Sequence, residues 1–158
     1  SLLITGKSID TIIDRPEELL ARAIKNNNPT NVKIENKTKE FRKFNTPEEG
    51  IKGGFADLAN KLQGKGEFTN AILAEHKVKE PTIGDIMLIH SIGNIDYNNK
   101  EGKKYLNDLE ESTKIPHWLP VKTFMKYPEE EKKRLFKGMM RNESVYFFKK
   151  YRNIVDKL

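Results

Sequence analysis

The sequence predicts a mainly α-helical protein with at most a small β-hairpin. Apolar residues recur at intervals of three and four in several segments, which is the period of a helix, and no segment shows the alternation of a half-buried strand. Proline followed by acidic residues marks helix starts at Pro16, Pro47 and Pro128, because the first helical turn tolerates proline and favours acids. The length of 158 residues suits one domain with its own core, so we expect a single domain over 1–158.

The N-terminal part is predicted to form a helix followed by a polar connection. Residues 8–25 end in an apolar stripe with a period near 3.6, and three asparagines follow it. The segment 32–44 is rich in Lys, Asn and Glu, and two alternatives stay open for it, a short hairpin or an irregular polar segment. Phe41 and Phe44 are expected to anchor this segment to the core.

A second helix is predicted to begin at Thr46 and to run to about residue 62. Thr46 has the side chain of a helix cap, Pro47 suits the first helical position, and Glu49 can reach back to the backbone amide of Thr46. Gly53-Gly54 costs helix stability. We therefore expect close packing against another helix at these glycines.

The rest of the chain is predicted to hold further helical segments and two loops. The segments are 69–78 with Thr69 as its cap, a short apolar segment over 85–92, 105–113, and a long last helix over 128–157. Gly93–Lys103 is polar and is expected to be a surface loop. Residues 115–120 contain two prolines and are expected to fold back on themselves.

Composition limits the chemistry and the partners. The net charge of +6 attracts polyanions, but the basic residues are scattered and no nucleic-acid-binding motif is present, so nucleic acid is an alternative partner that we do not favour. The absence of cysteine excludes disulfides and thiolate metal sites. The three histidines lack metal-binding spacing, and there is no phosphate loop, so neither a metal nor a cofactor is expected. No apolar run is long enough to cross a membrane, and no signal peptide is recognised.

The most informative segment is the run Asn26-Asn-Asn-Pro-Thr-Asn31. Asparagine holds loops through side-chain hydrogen bonds to the backbone and tolerates left-handed dihedrals, while Pro29 forces Asn28 out of the helical region. An ordered surface of amides suits a ligand covered in hydroxyl and acetamido groups, such as an amino sugar. The alternative is a solvated linker. Under the first interpretation, the substrate-binding residues are Asn26, Asn27, Asn28 and Asn31.

This segment and the next resemble a known family. Phage virion proteins with a lysozyme-like domain carry a pattern close to R-x-I-R-N-N-N-P-G-N-I, a short polar stretch, and then F-x-x-F-x-T/S-P-E-x-G-I-R-A. The residues in matching places are Arg22, Ile24, Asn26, Asn27, Asn28, Pro29, Asn31, Val32, Phe41, Phe44, Thr46, Pro47, Glu48, Gly50 and Ile51. Thr30 stands where the family usually has glycine, a residue suited to positive φ, and Lys52-Gly53-Gly54 stands where it usually has Arg-Ala. The resemblance covers residues 22–62 and returns near the C-terminus.

Glu143 is the acid that the sequence favours for catalysis. Leu135, Met139, Glu143 and Phe147 are spaced by four, so a continuous helix would place a carboxylate within an apolar stripe. A carboxyl group among apolar neighbours has a raised pKa, which suits a general acid that protonates a glycosidic oxygen. The alternative is a structural ion pair with a lysine or arginine such as Lys150.

The sequence segment around Glu143 also resembles segments of known enzymes. Gly138-Met-Met-Arg-Asn-Glu-Ser144 is similar to the helix of lytic transglycosylases that ends in a catalytic glutamate followed by serine, and the phage family has a similar helix ending in His/Asn-Glu-Asn-Gly. Here no glycine follows Glu143, so we expect an unterminated helix. A lytic transglycosylase needs one acid, whereas an ordinary glycoside hydrolase uses two carboxylates. Glu17 and Glu18 are competing acids, more easily explained as charges in a first helical turn.

His117 and Trp118 lie between two prolines and are the remaining candidate substrate-binding residues. An indole face can stack on a sugar ring. The same pair can instead close the core as an apolar plug, and we favour the plug.

The resemblance implies a compact lysozyme-like helical domain in a virion that is assembled in the host cytoplasm. It implies peptidoglycan glycan strands and other virion proteins as partners, with cleavage by a lytic transglycosylase or lysozyme reaction as an open question. A second hypothesis is a non-catalytic structural or ejected virion protein that kept the fold. A third is a small basic protein that binds a host protein or nucleic acid.

Overall fold

A computed structural model describes residues 17–34 and 37–158. These residues are mainly helical, as the sequence predicts, and they include one two-stranded hairpin. The chain divides into two compact units. Unit 1 combines the described residues up to Asp57 with Met139–Leu158, and unit 2 is Leu58–Gly138. Residues 8–16 of the first predicted helix lie outside the described residues.

Unit 1 begins with a helix and two short antiparallel strands. Their bounds are α1 Glu17–Asn26, β1 Lys33–Ile34 and β2 Lys37–Phe41. Lys33 lies opposite Phe41 and Ile34 opposite Lys37, with an irregular register between the two pairs. Of the two alternatives for residues 32–44, the hairpin is therefore confirmed.

Helix α2, Pro47–Leu62, begins where the sequence predicts. The amide of Glu49 donates to Oγ1 of Thr46 at 3.1 Å, which is the expected cap. The carboxylate of Glu49 accepts from the amide of Asn45 at 3.3 Å rather than from that of Thr46. In a regular capping box the Glu49 carboxylate would accept from the amide of the cap residue, Thr46. Here it accepts from the amide of the residue before the cap.

The expectation that Gly53 packs against another helix is wrong. A Cβ at Gly53 would lie 2.5 Å from the ring of Phe44, which belongs to the connection before α2. The glycine leaves room for this aromatic ring, so Phe44 anchors the connection to the side of the helix.

Unit 2 is helical throughout its regular elements. These are α3 Glu67–Glu75, α4 Ile83–Ile92, α5 Lys100–Thr113 and α6 Val121–Phe124, followed by the start of α7, Glu129–Glu143. Every residue of Ile83–Ile89 is buried, so α4 forms the centre of this unit. It packs against α5, where a Cβ at Gly102 would lie 2.8 Å from Leu88.

Two helix starts in unit 2 differ from the prediction. Helix α3 is capped by Gly66, and Thr69 lies inside the helix and is buried, so Thr69 is not the cap. Helix α5 begins at Lys100 because the side chain of Asn99 accepts from the amide of Gly102 at 2.9 Å. The loop predicted over 93–103 therefore ends at Asn99.

The segment 115–120 folds back, as predicted, and pairs with the start of α4. The amide of Gly84 donates to the carbonyl of His117 at 2.7 Å, and the amide of Ile83 donates to that of Leu119 at 2.8 Å. Thr82 and Pro120 form an isolated antiparallel bridge.

The long last helix predicted over 128–157 is wrong, since the chain forms three helices there. After α7 come α8, Val145–Lys150, and α9, Arg152–Asp156. Ser144, with φ −133° and ψ 54°, and Tyr151, with φ −114° and ψ 32°, leave the helical region and separate them. The buried apolar side chains of unit 1 are Ala23, Val32, Ile51, Met139, Met140, Phe147, Phe148 and Val155.

Candidate functional site

The asparagine run ends α1 in a Schellman motif. Asn27 has a φ of 50°, in the left-handed region. Its amide donates to the carbonyl of Ile24 at 3.2 Å, and the amide of Asn28 donates to that of Ala23 at 2.8 Å. These two bonds satisfy the last carbonyls of the helix, and asparagine tolerates the left-handed backbone that they need.

Asn28 joins this turn to the hairpin from a buried position. Its side-chain amide donates to the carbonyl of Val32 at 2.8 Å and to that of Arg42 at 2.9 Å. Its Oδ1 accepts from the amide of Val32 at 2.8 Å. Asn28 has 1% of its surface exposed, and both hydrogens of its side-chain amide form hydrogen bonds inside the protein. These contacts give Asn28 a structural role, in contrast to the substrate-binding role that the sequence predicts.

The neighbouring asparagines hold the connection that precedes α2. The side-chain amide of Asn27 donates to the carbonyl of Phe44 at 2.9 Å, and the carbonyl of Asn26 accepts from the amide of Phe44 at 2.8 Å. Asn26 is buried, and Asn27 is half-buried. A Cβ at Gly50 would collide with the carbonyl oxygen of Asn27, so this glycine lets α2 approach the turn closely.

The residue with a left-handed backbone after Pro29 is Asn31 and not Thr30. Thr30 is buried, and it is absent from the positive-φ residues of the described chain. Asn31 adopts the left-handed conformation instead, with a φ of 58°. Asn31 is half-buried.

Glu143 is the last residue of α7, so the expectation of an unterminated helix is wrong. The helix stops without glycine because Ser144 turns the backbone and is fully buried. The hydroxyl of Ser144 donates to the carbonyl oxygen of Pro29, in the centre of the asparagine run. The end of α7 is therefore fixed to this run within unit 1.

Buried apolar residues lie on both sides of Glu143 in the sequence. Met139 and Met140 precede it and are buried, and Phe147, on the next helix, is buried as well. The Glu143 side chain is half-buried at this junction. The competing acid Glu18 is exposed in the first turn of α1.

His117 and Trp118 belong to unit 2. Trp118 is 65% exposed, so the favoured interpretation of this residue as a plug of the core is wrong. Ile115 and Leu119 on either side are buried and fill the core instead. Nδ1 of His117 lies 3.2 Å from Oε1 of Glu110.

A polar cluster beside His117 was missed by the sequence analysis. The hydroxyl of Tyr97 donates to Oδ1 of Asp85 at 2.6 Å, and the other carboxylate oxygen of Asp85 accepts from the amide of Thr82 at 3.0 Å in the capping box of α4. Burial, followed by the hydrogen bond to Asp85, raises the pKa of Tyr97 above its usual value. The sequence Thr82-Ile-Gly-Asp85 signals the cap, but nothing in it indicates that Tyr97 joins the cap.

Within residues 17–34 and 37–158, no group of three His, Asp or Glu side chains is arranged to hold a metal ion. No helix in the same ranges has the length and hydropathy needed to span a membrane.

Comparison with protein families, with curated proteins and with solved structures gave no match for this chain.

Proposed function

We propose that this chain is a phage virion-associated protein that engages the glycan strands of bacterial peptidoglycan, and that it cleaves them as a lytic transglycosylase with Glu143 as the acid. The observation that carries the proposal is the hydrogen bond from Ser144 to the Pro29 carbonyl. It brings the end of the helix that bears Glu143 to the asparagine run, the two segments that the family resemblance singles out.

The chemistry that we propose needs one carboxyl group. Glu143 in its protonated form donates a proton to the glycosidic oxygen, and the bond between this oxygen and C1 of the muramoyl sugar breaks. The 6-hydroxyl of the same sugar then attacks C1 and returns its proton to the Glu143 carboxylate. The products are a free hydroxyl on one sugar and an anhydro ring on the other, and no water is consumed.

The half-buried position of Glu143 beside buried methionines supports this role. Glu143 is half-buried, and an acid catalyst acts from a position that is partly shielded from water and still within reach of the substrate. Asn31 and Asn27 are the half-buried members of the run and the ones that we assign to sugar contacts. Trp118 and His117 are proposed as a separate sugar-binding surface on unit 2, since an exposed indole presents an apolar face to a sugar ring.

A non-catalytic virion protein with the same fold is the second candidate. The observation that favours it is the internal use of the run. Asn28 donates both amide hydrogens to backbone carbonyls, and Asn26 and Thr30 are buried. If the asparagine run is needed for these structural contacts, a virion protein that had lost catalysis would still keep it.

Incubation of the full chain with purified peptidoglycan sacculi tests the proposal. We expect soluble muropeptides with anhydro ends, which contain no ¹⁸O when the reaction is run in H₂¹⁸O. Glu143→Gln should still bind sacculi and release no muropeptides. Glu18→Gln, which removes an exposed acid from the same unit, should behave as the unmodified chain.

The outcomes separate the candidates. Sacculus binding without release by the unmodified chain would favour the non-catalytic protein. Reducing ends labelled with ¹⁸O would indicate hydrolysis in place of transglycosylation. A chain that neither binds sacculi nor releases muropeptides would contradict the proposal. For the surface on unit 2, Trp118→Ala should weaken sacculus binding, whereas Phe68→Ala, which removes another exposed aromatic ring, should not.

A further inference from the structure

The arginines of unit 1 share one arrangement. Each arginine in the described part of this unit is exposed and lies over a phenylalanine ring. The distances from Cζ to the ring centroid are 4.9 Å for Arg22 over Phe41, 4.8 Å for Arg42 over Phe44, 4.8 Å for Arg141 over Phe148 and 5.1 Å for Arg152 over Phe148. Such contacts hold a guanidinium in place while its edge stays in water.

Phe148 differs from the other rings because two arginines share it. Arg141 lies in the last turn of α7 and Arg152 begins α9. Their distances to the same centroid place the two guanidinium carbons within about 10 Å of each other. That separation is about one Debye length at moderate ionic strength, so the two charges repel. In the described parts of the chain, 17–34 and 37–158, the ion pairs of the structure involve neither arginine.

Two fixed guanidinium groups without a described carboxylate partner suit an anion with several oxygens. Guanidinium forks bind phosphate through paired hydrogen bonds, and prior ordering on the ring lowers the entropy lost on binding. Lys149 and Lys150, both exposed, add positive charge next to Phe148 in the sequence. The hydrogen bond between Lys150 and the Tyr146 hydroxyl raises the pKa of Lys150, which keeps this ammonium charged.

The burial of the ring indicates which phosphate polymer fits. Phe148 is 8% exposed, so it offers no face on which a nucleobase can stack. Proteins that bind single-stranded nucleic acid combine a basic groove with exposed aromatic faces. At the arginine pair itself the positive charge comes without a stacking face, which favours a phosphate polymer that has no bases. The exposed ring of Tyr146 lies under Lys150 instead.

We infer that Arg141 and Arg152 form a binding site for the phosphodiester groups of a polyol-phosphate polymer of the bacterial wall. The choice of a wall polymer as the source rests on the proposed function, whereas the arginine pair on Phe148 does not. Binding at this site requires no cleavage, so it would hold the chain on the wall whether or not the glycan is cleaved.

The test is the affinity of the full chain for fluorescently labelled poly(glycerol phosphate), measured by polarisation at several salt concentrations. Arg141→Gln with Arg152→Gln should weaken binding about tenfold and make its salt dependence shallower, because two phosphate contacts are lost. Arg141→Lys with Arg152→Lys should keep the salt dependence but bind several-fold more weakly, because lysine lacks the planar fork. Circular dichroism and thermal melting establish that the variants are folded.

A charge-matched control removes two exposed lysines from α5, Lys100→Gln with Lys103→Gln, and should change the affinity by less than about twofold. An equal loss in this control would overturn the inference, because net charge alone would then explain binding. Tighter binding to a single-stranded DNA of equal charge would overturn the assignment to a wall polymer. If the unmodified chain binds the polymer but releases no muropeptides, the result counts against the proposed function alone.

Discussion

The hydroxyl of Ser144 donates a hydrogen bond to the backbone carbonyl of Pro29, a residue more than a hundred positions earlier in the chain. Ser144 is fully buried and Pro29 is buried. The bond joins the break after α7 to the turn after α1. It therefore fixes the C-terminal segment of unit 1 to its N-terminal segment at the residue next to Glu143.

Replacement of Ser144 should destabilise the chain. Ser144→Ala removes a buried hydrogen bond between distant segments, and we expect the free energy of unfolding to fall by about 1–3 kcal/mol. Urea unfolding followed by circular dichroism measures the loss. Ser112→Ala is the matched control, because the Ser112 hydroxyl donates to the carbonyl of Leu109 within its own helix. A similar loss in both variants would show that the bond to Pro29 has no special importance.

Asn28 should be more sensitive than any other residue of the asparagine run. Asn28→Ala removes three hydrogen bonds of about 1 kcal/mol each, so we expect a loss of about 2–4 kcal/mol. Asn28→Asp should be at least as damaging, because it turns a carboxylate oxygen toward the carbonyls of Val32 and Arg42. Asn31→Gly should be close to neutral, since glycine adopts a φ of 58° without strain. Thermal melting of the three variants checks this order, and a stable Asn28→Asp protein would contradict the argument.

The helices with local signals in the sequence were predictable. Thr46 and Pro47 mark the start of α2 because the cap and the first helical position depend only on adjacent residues. The last helix was not predictable in the same way. Its residues favour helix across Ser144, and the break there coincides with a contact to Pro29 far along the sequence. Local propensity carries no information about such a partner.

The candidate site, like the helices, was predictable only where its features depend on adjacent residues. The asparagine run could be recognised as an ordered loop, because asparagine and proline constrain the backbone locally. Which amides turn inward could not be inferred, because that depends on where the hairpin brings the carbonyl of Arg42. The exposure of Trp118 could not be predicted from the sequence either. Its neighbours Ile115 and Leu119 are also apolar, and the sequence does not indicate which of the three residues is exposed.

Gly50 should not tolerate a side chain. A methyl group at this position would meet the carbonyl oxygen of Asn27, which is backbone and cannot rotate away. We expect Gly50→Ala to destabilise the chain by about 1–3 kcal/mol despite the higher helix propensity of alanine. Gly66→Ala is the control, because its Cβ would lie 3.2 Å from Cγ of Lys61, a flexible side chain. Equal melting temperatures for the two variants would contradict the close approach of α2 to the turn.

We expect ionisation of Tyr97 to lower the free energy of unfolding of the chain at alkaline pH. Because burial and the bond to Asp85 raise its pKa in the folded protein, the phenol ionises first in the unfolded chain, around its ordinary value of 10.0. The unfolded state then binds fewer protons than the folded state, so the stabilising effect is present below pH 10 and declines as the pH rises above it. Tyr97→Phe should be less stable at neutral pH, because it loses the bond to Asp85, and its stability should decline less steeply between about pH 9.5 and 11. Urea unfolding across this range measures the slopes, with Tyr127→Phe as a control that removes a phenol with no described hydrogen bond to a carboxylate. Parallel slopes for the unmodified chain and Tyr97→Phe would contradict the coupling between Tyr97 and Asp85.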